Sequence, residues 1–291
     1  MEVSLEPLSQ TGSDTLRLTS DTGKICLEES LVSIPTSASE PEQRQKEARI
    51  RRLMGRVPDA ALEGVQIEVA GRYEDYRSAF RIVHDSFVKL GYIQRQPHDL
   101  WLQPHHCSGR TTVFIARRAG RVVGTASVFY DGVTGLPVER VYPKEASDCR
   151  RGGSVCEFGS LAVAPSERGG GLATLLQAAA LYCGSRIEGA GHCLITVPPS
   201  RVGYYEVVFG FFTIRRDRLY HGFDRPAVLM HFDVKRFDEW VGVYADPPSG
   251  WHTVRSLMQS SSFPRTDFTM RSEIDLAQLK EILPAAFASQ Q

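Results

Sequence analysis

The run Leu161-Ala162-Val163-Ala164-Pro165-Ser166-Glu167-Arg168-Gly169-Gly170-Gly171-Leu172-Ala173 constrains this chain more than any other segment. Val155 to Val163 reads as a strand, and Leu172, Leu175, Leu176, Ala179 and Cys183 recur at helical spacing. Three glycines therefore connect a strand to a helix running from about Leu172 to Arg186. Without Cβ atoms they let backbone N–H groups approach an anion, and the helix N-terminus adds partial positive charge. Such a turn is a phosphate cradle; a plain flexible entry into a helix is the bland alternative. A dinucleotide fingerprint would need different glycine spacing and an acidic residue about 20 positions on, and a Walker loop would need Gly-Lys-Ser/Thr. Neither is present.

The elements around this turn alternate as in an α/β domain. Ile67 and Val69 alternate as in a strand, and Tyr76, Phe80, Val83, Phe87 and Leu90 mark a helix that Gly91 ends. Thr111 to Arg117 and Val122 to Phe129 read as strands of a hairpin. A long connection from Asp131 to Ser154 then leads to the Glu157 strand, and its length places it near the active site. Beyond the glycine turn come a strand from His192 to Val197, a short helix from Val202 to Val208, and strands at Phe211 to Arg215 and Val228 to Asp233.

The 291 residues are 42% hydrophobic, enough for a sizeable core. Three regions follow from the patterning. Residues 1–65 form a polar extension, partly disordered or helical, with a basic helix drawn from Pro41 to Arg56; 66–236 form the α/β domain; 237–291 form a C-terminal extension with a helix suggested by Ile274, Leu276, Leu279, Ile282 and Leu283. Lys plus Arg and Asp plus Glu both number 34, which removes the bulk attraction of a general nucleic-acid binder. The six cysteines include no CxxC pair, and scattered thiols fit a reducing compartment. The start lacks the basic and apolar regions of a secretory signal, and no apolar stretch approaches the roughly 18 residues of a membrane span, so the expected location is cytoplasmic. His98, His105, His106 and Cys107 fit no common zinc spacing, and no metal is assigned.

A second signal is Tyr204-Tyr205-Glu206-Val207-Val208-Phe209-Gly210-Phe211. A tyrosine hydroxyl can serve as a general acid toward a leaving group. Tyr205 is the candidate acid, with aromatic packing as the alternative for it and the preferred reading for Tyr204.

The glycine run resembles the Arg-x-x-Gly-x-Ala acyl-CoA loop of the GCN5-related N-acetyltransferase (GNAT) superfamily, filled by Arg168, Gly171 and Ala173. The tyrosine element resembles that superfamily's Phe-Tyr-x-x-x-Gly-Phe, with one extra residue before the glycine. Further fragments are similar to the FeeM-like N-acyl amino acid synthases, relatives of the acyl-homoserine-lactone autoinducer synthases. They are Phe80 to Ile93, Val123-Gly124-Thr125, Asp131 with Gly135-Leu136-Pro137, Glu157 with Leu161-Ala162-Val163, and Pro226 to Met230. The resemblance covers roughly Tyr73 to Asp233.

It implies a GNAT-like acyltransferase fold, a mixed central sheet flanked by helices and splayed where the thioester arm enters. It also implies transfer of a fatty acyl group from acyl carrier protein or CoA to the amine of an amino acid or similar acceptor, with no tightly bound cofactor. By the same resemblance the backbone of Val163 pairs with the pantetheine arm, and Arg168, Gly169, Gly170, Gly171, Leu172 and Ala173 hold its phosphate. Glu157 corresponds to the base of the autoinducer synthases; a structural ion pair is the alternative for it. Where the family carries Asn-Pro-Arg-His this chain reads Pro198-Pro199-Ser200-Arg201, and Arg201, which cannot act as a base, is suited to bind an acceptor carboxylate. The complete glycine loop keeps CoA open as donor. A short-chain acetyl-CoA N-acetyltransferase and a non-catalytic acyl-thioester sensor stand as alternatives. Acceptor, acyl length and oligomeric state are not specified by the sequence.

Overall fold

In the computed structural model of the chain, residues 56–220, 225–236, 249–254 and 257 are described. The basic segment before Arg56 and the C-terminal helix read around Ile274 to Leu283 lie outside the described residues. The strands are β1 (Arg56–Pro58), β2 (Val65–Val69), β3 (Thr111–Arg118), β4 (Arg121–Tyr130), β5 (Val155–Val163), β6 (His192–Val197), β7 (Phe212–Leu219), β8 (Pro226–Asp233) and β9 (Trp251–Thr253). The α-helices are α1 (Asp59–Leu62), α2 (Tyr73–Lys89), α3 (Pro143–Gly152), α4 (Leu172–Tyr182) and α5 (Val202–Phe209).

Seven strands form one mixed sheet in the order β2-β3-β4-β5-β6-β8-β7. Only β5 and β6 run parallel, because the connection between them is the crossover through α4; the other neighbours are antiparallel. Helix α4 buries nearly every side chain, including Leu172, Leu175, Leu176 and Leu181, against the sheet face that carries Cys156, Phe158, Cys193 and Ile195. On the opposite face Val155, Phe129, Leu194 and Leu229 pack against Leu136, Val138, Tyr142 and Ala146 of the segment between β4 and β5.

That segment differs from its expected form as an irregular loop. It contains a 3-10 turn, Pro137–Arg140, and all of α3. Pro143 occupies the first turn of α3, where its missing N–H costs nothing, and Arg150 and Arg151 lie in the last turn, favourable to the helix dipole. The helix running from about Leu172 to Arg186 appears as α4 followed by a π turn, Cys183–Ile187.

Strands β1 and β9 pair antiparallel with each other, from Arg56↔Thr253 to Pro58↔Trp251. Val57, Val254 and Leu257 belong to the α4-side core, so packing continues past the edges drawn at Gln66 and Arg236.

Candidate active site

The site is made by a fork in the sheet. Parallel pairing of β5 with β6 runs from Val155↔His192 to Phe158↔Ile195 and ends there, while β6 stays paired with β8 as far as Val197↔Val228. On its other side β5 is diverted by a bulge: the register shifts between Thr125 and Ser127 of β4, and Ser160 adopts a φ of 51°. From Gly159 onward β5 therefore stays with β4 and leaves β6. Because Ala164 N–H bonds Val123 O at 2.8 Å, alternation along the strand turns the backbone groups of Val163 toward the open edge. Its carbonyl is taken by Arg168 Nε at 3.2 Å, and Arg168 Nη2 donates to Ser86 Oγ of α2.

Beyond Val163 the glycine turn is exposed. Gly169 and Gly171 have φ of 87° and 90°, the left-handed region open to glycine. Gly171 is the N-cap of α4, and no side chain caps that helix end. Its first amides are therefore not consumed by a cap and can meet an anion.

Glu157 stands on the face opposite α4, across from Phe129 of β4 and Leu194 of β6. It is 2% exposed, and its Oε2 accepts a 2.6 Å hydrogen bond from Val138 N–H. No cation pairs with it among the described residues, so it is not the strand carboxylate of a structural ion pair. Burial pushes its pKa up to about 8, opposed by the Val138 hydrogen bond and reinforced by nearby Glu139. The long segment before β5 thus supplies the one backbone donor that steadies this carboxylate. An ion cluster holds that segment in place: Arg150 donates to Asp131 at 2.6 and 2.7 Å and also to Glu139. A polar hollow of about 600 Å³ opens over the cluster, lined by Asp131, Thr134, Gly135, Glu139 and Arg150 but by none of the predicted site residues.

Tyr205 lies on the α4 side of the sheet, buried against Phe209 and Phe211. Burial raises its pKa first, and the neighbouring Tyr204 adds to the shift. Tyr205 and Glu157 thus lie on opposite faces of the sheet. Tyr204 is more than a packing residue, since its hydroxyl meets Thr174 Oγ1 of α4 at 2.8 Å. Burial pushes its pKa up to about 12. Arg201 is exposed at the N-cap of α5, and its charge partly offsets the shift on both tyrosines. It keeps company with the tyrosines rather than with Glu157.

Of the histidines weighed above, His106 has a structural place. Among the described residues no group of three or more His, Cys, Asp or Glu is placed to hold an ion. Gln103 N–H donates to His106 Nδ1 at 2.8 Å, which leaves the proton of neutral His106 on Nε2, 3.2 Å from Ser127 Oγ. Burial drives the His106 pKa down to about 3, consistent with that neutral tautomer. Several arginines of the hairpin and of α3 are internally paired: Arg117 with Asp75 and Glu68, Arg118 with Glu167, Arg151 with Asp148. No helix among the described residues is long and apolar enough to cross a membrane.

Residues 78–233 match the family model described as N-acyl amino acid synthase FeeM, more than half of the chain. The chain belongs to the FeeM N-acyl amino acid synthase family. Among solved structures it is similar to FeeM from uncultured soil microbes, with 20% identity and a TM-score of 0.52 over 61% of this chain and 93% of that one. It is also similar to a CoA-dependent acyl-homoserine lactone synthase, BjaI (16% identity, TM-score 0.49, 75% of this chain and 100% of that one). An acyl-CoA N-acyltransferase from Pseudomonas aeruginosa follows at 16% identity and a TM-score of 0.43, covering 57% and 98% of the two chains. Comparison with curated proteins returns no match. As a member of the FeeM family with a GNAT-like fold, the protein is an acyltransferase, and its chemistry is N-acyl transfer.

Proposed function

We propose that the protein moves a fatty acyl group from a phosphopantetheine thioester, carried by CoA or acyl carrier protein, to the amine of an amino acid or similar acceptor. The observation that carries this reading is Glu157: a buried carboxylate with a raised pKa, with no cation paired to it among the described residues, beside the point where β5 and β6 part.

In this reading the amides of Gly169, Gly170, Gly171, Leu172 and Ala173 hold the donor phosphate, Arg168 N–H being given to Pro165 O, and the open edge at Val163 guides the pantetheine arm into the fork. With the Val163 carbonyl taken by Arg168, its N–H is the group left for that arm. Glu157 takes a proton from the acceptor ammonium, directly or through a water, and the freed amine attacks the thioester carbonyl. A C–N bond forms and the C–S bond breaks; as the amide forms the nitrogen gives up a second proton, which returns through solvent to Tyr205 once that residue has protonated the thiolate. The departing thiolate takes a proton from Tyr205, whose raised pKa keeps it protonated until that moment. Arg201, exposed on the tyrosine side, is left as the candidate for the carboxylate of an acceptor long enough to reach it from the Glu157 face.

The test is direct. Purified protein is incubated with amino acids and with acetyl-CoA, palmitoyl-CoA or palmitoyl-carrier protein, and products are read by mass spectrometry. N-palmitoyl products that disappear in Glu157→Gln, with donor binding retained, are expected. Turnover of acetyl-CoA alone would reject the fatty-acyl donor, and donor binding without any product would favour a sensor.

A further inference from the structure

Glu157 is sealed at a place where the sheet is open. Pairing of β5 with β6 stops one residue beyond it, and the next position on its face of β5, Gly159, has no side chain. The carboxylate is nevertheless only 2% exposed. The Val138 turn covers it from one side, and the residue that reaches over from the other is Tyr220.

Tyr220 directly follows β7, and its N–H bonds Arg225 O at 2.8 Å, closing the end of the β7–β8 pair. It therefore starts from the arm of the fork that stays with β6, since β8 pairs with both β6 and β7. Its side chain packs against two clusters. One surrounds Glu157 and includes Phe129, Val138, Leu194 and Leu229. The other joins Val83 of α2 and Trp101 to Ala162, which lies on β5, the far arm of the fork. Among the described residues Tyr220 is the side chain these two clusters share.

The hydroxyl is anchored as well, by a hydrogen bond with the side chain of Gln103. Gln103 is fixed in turn: its N–H donates to His106 Nδ1 at 2.8 Å, and the His106 ring stands edge-on to Phe129 with centroids 4.9 Å apart. Phe129 is the β4 partner of Glu157 in the sheet, so the tie returns to the carboxylate's own neighbour. Burial raises the Tyr220 pKa, and the charge of Glu157 adds to the rise, so the two groups lie within electrostatic reach.

We propose that Tyr220, tied to Gln103 across the fork, is a positioning residue that keeps water from Glu157, so that the acyl group passes to an amine and not to water. The proposal rests on the acyl-transfer reading and goes beyond it, for it concerns the reaction that competes with transfer. A carboxylate able to deprotonate an ammonium can also take a proton from water when donor is bound and no acceptor is present. Water then attacks the thioester carbonyl: a C–O bond forms, the C–S bond breaks, and the thiolate takes a proton from Tyr205. Glu157 returns the water's proton through solvent to Tyr205, and free fatty acid and thiol leave. An aromatic ring over the base removes the attacking water without weakening the base.

The experiment gives the full chain palmitoyl-CoA or palmitoyl-carrier protein and follows free thiol and palmitate with and without amino acids. Without acceptor, wild type should release thiol about 100-fold more slowly than with its best amine, the scale of general-base assistance withheld from water. Tyr220→Ala should raise acceptor-free hydrolysis by roughly tenfold or more, a fraction of that scale, and adding Glu157→Gln should abolish the rise. Tyr220→Phe keeps the ring and should recover most of the seal. It and Gln103→Leu, each lacking the tie, should hydrolyse donor a few-fold faster than wild type. A merely structural role lowers transfer and hydrolysis together and leaves their ratio unmoved.

Hydrolysis at the wild-type rate in folded Tyr220→Ala, or a rise that persists without the Glu157 carboxylate, overturns the cover while acyl transfer stands. If Tyr220→Ala unfolds, Tyr220→Phe and Gln103→Leu decide, and wild-type ratios in both overturn the proposal. Wild type that hydrolyses donor as fast as it acylates amines overturns it with no variant at all. Absence of transfer by wild type to any amine, or full activity in Glu157→Gln, overturns the underlying reading and the cover with it.

Discussion

Thr174 Oγ1 and Tyr204 Oη lie 2.8 Å apart and join α4 to α5, the helices that follow the two strands of the fork. The strands themselves share no hydrogen bond beyond Phe158↔Ile195, so this contact ties the two arms where the sheet no longer does. Tyr204→Phe should raise the donor KM several-fold and leave the acceptor KM unmoved, because the cradle and Tyr205 then lose a fixed separation. The fold should lose about 1 kcal/mol, the net worth of one hydrogen bond. Steady-state kinetics with each substrate varied, together with denaturant melts, check both expectations.

Glu157→Gln should lower kcat by roughly 100-fold or more, the usual weight of a general base. The contribution of Glu157 to wild-type stability should respond to pH in the opposite sense to activity. The folded pKa of about 8 lies above the ordinary 4.5, so folding favours the protonated acid. That contribution is complete below 4.5 and is lost as pH rises to about 8, at up to about 1.4 kcal/mol per unit. The melting temperature of the variant relative to wild type should therefore climb between pH 5 and pH 8. Over the same range wild-type kcat/KM for the acceptor should rise, and the variant should lack that limb.

Gly171→Ala tests the cradle. The residue holds a φ of 90°, and a Cβ would meet Val57 Cγ1 at 3.2 Å. Left-handed backbone alone costs an alanine about 1–2 kcal/mol. Lower thermal stability and weaker binding of the donor are expected, read by melting curves and by titration calorimetry with CoA and with phosphopantetheinyl carrier protein. Unchanged donor affinity in a folded variant would argue against the cradle.

Arg150→Lys probes the brace behind Glu157. Arg150 bonds both oxygens of Asp131 and also Glu139, a fork geometry that lysine cannot reproduce. Hydrogen bonding to Arg150 holds the Asp131 pKa below its usual value; for Glu139 the same contact overcomes an opposing effect of burial. Carboxylates with depressed pKa stabilise the fold above their ordinary values and lose that effect as pH falls through the folded ones. The variant should be about 1 kcal/mol less stable at pH 7 and closer to wild type near pH 3. A several-fold fall in kcat should accompany it, because Val138 N–H no longer holds Glu157 as firmly.

Much of the fold was legible because its signals are local. The strand, glycine turn and apolar stripe of Val155 to Tyr182 lie in one continuous stretch, as do the stripe of α2 and the hairpin of β3 and β4. Helix α3 escaped notice because only Glu145, Ala146 and Cys149 of it are buried, although Pro143 and the closing arginines marked its ends. Strand β7 is longer than read; it lies at the sheet edge, and none of its positions is buried, so its arginine-rich sequence carries no apolar alternation to detect. Glu157 came from family likeness. The contact of His106 with Ser127 could not, since alternation gives the face of each strand but not what packs across it. The Tyr204 contact was likewise hidden, because it joins helices whose separation depends on the whole crossover.

The little ribbon of β1 and β9 has a practical corollary. Val57 presses on Gly171, and Val254 and Leu257 fill the same core, so stretches from opposite ends of the polypeptide buttress the donor turn from behind. A fragment trimmed to the family-matched residues 78–233 would keep the fork and its carboxylate while stripping away that backing. Expression boundaries for this enzyme should enclose both halves of the ribbon, or the trimmed protein will present a loosened turn to its thioester.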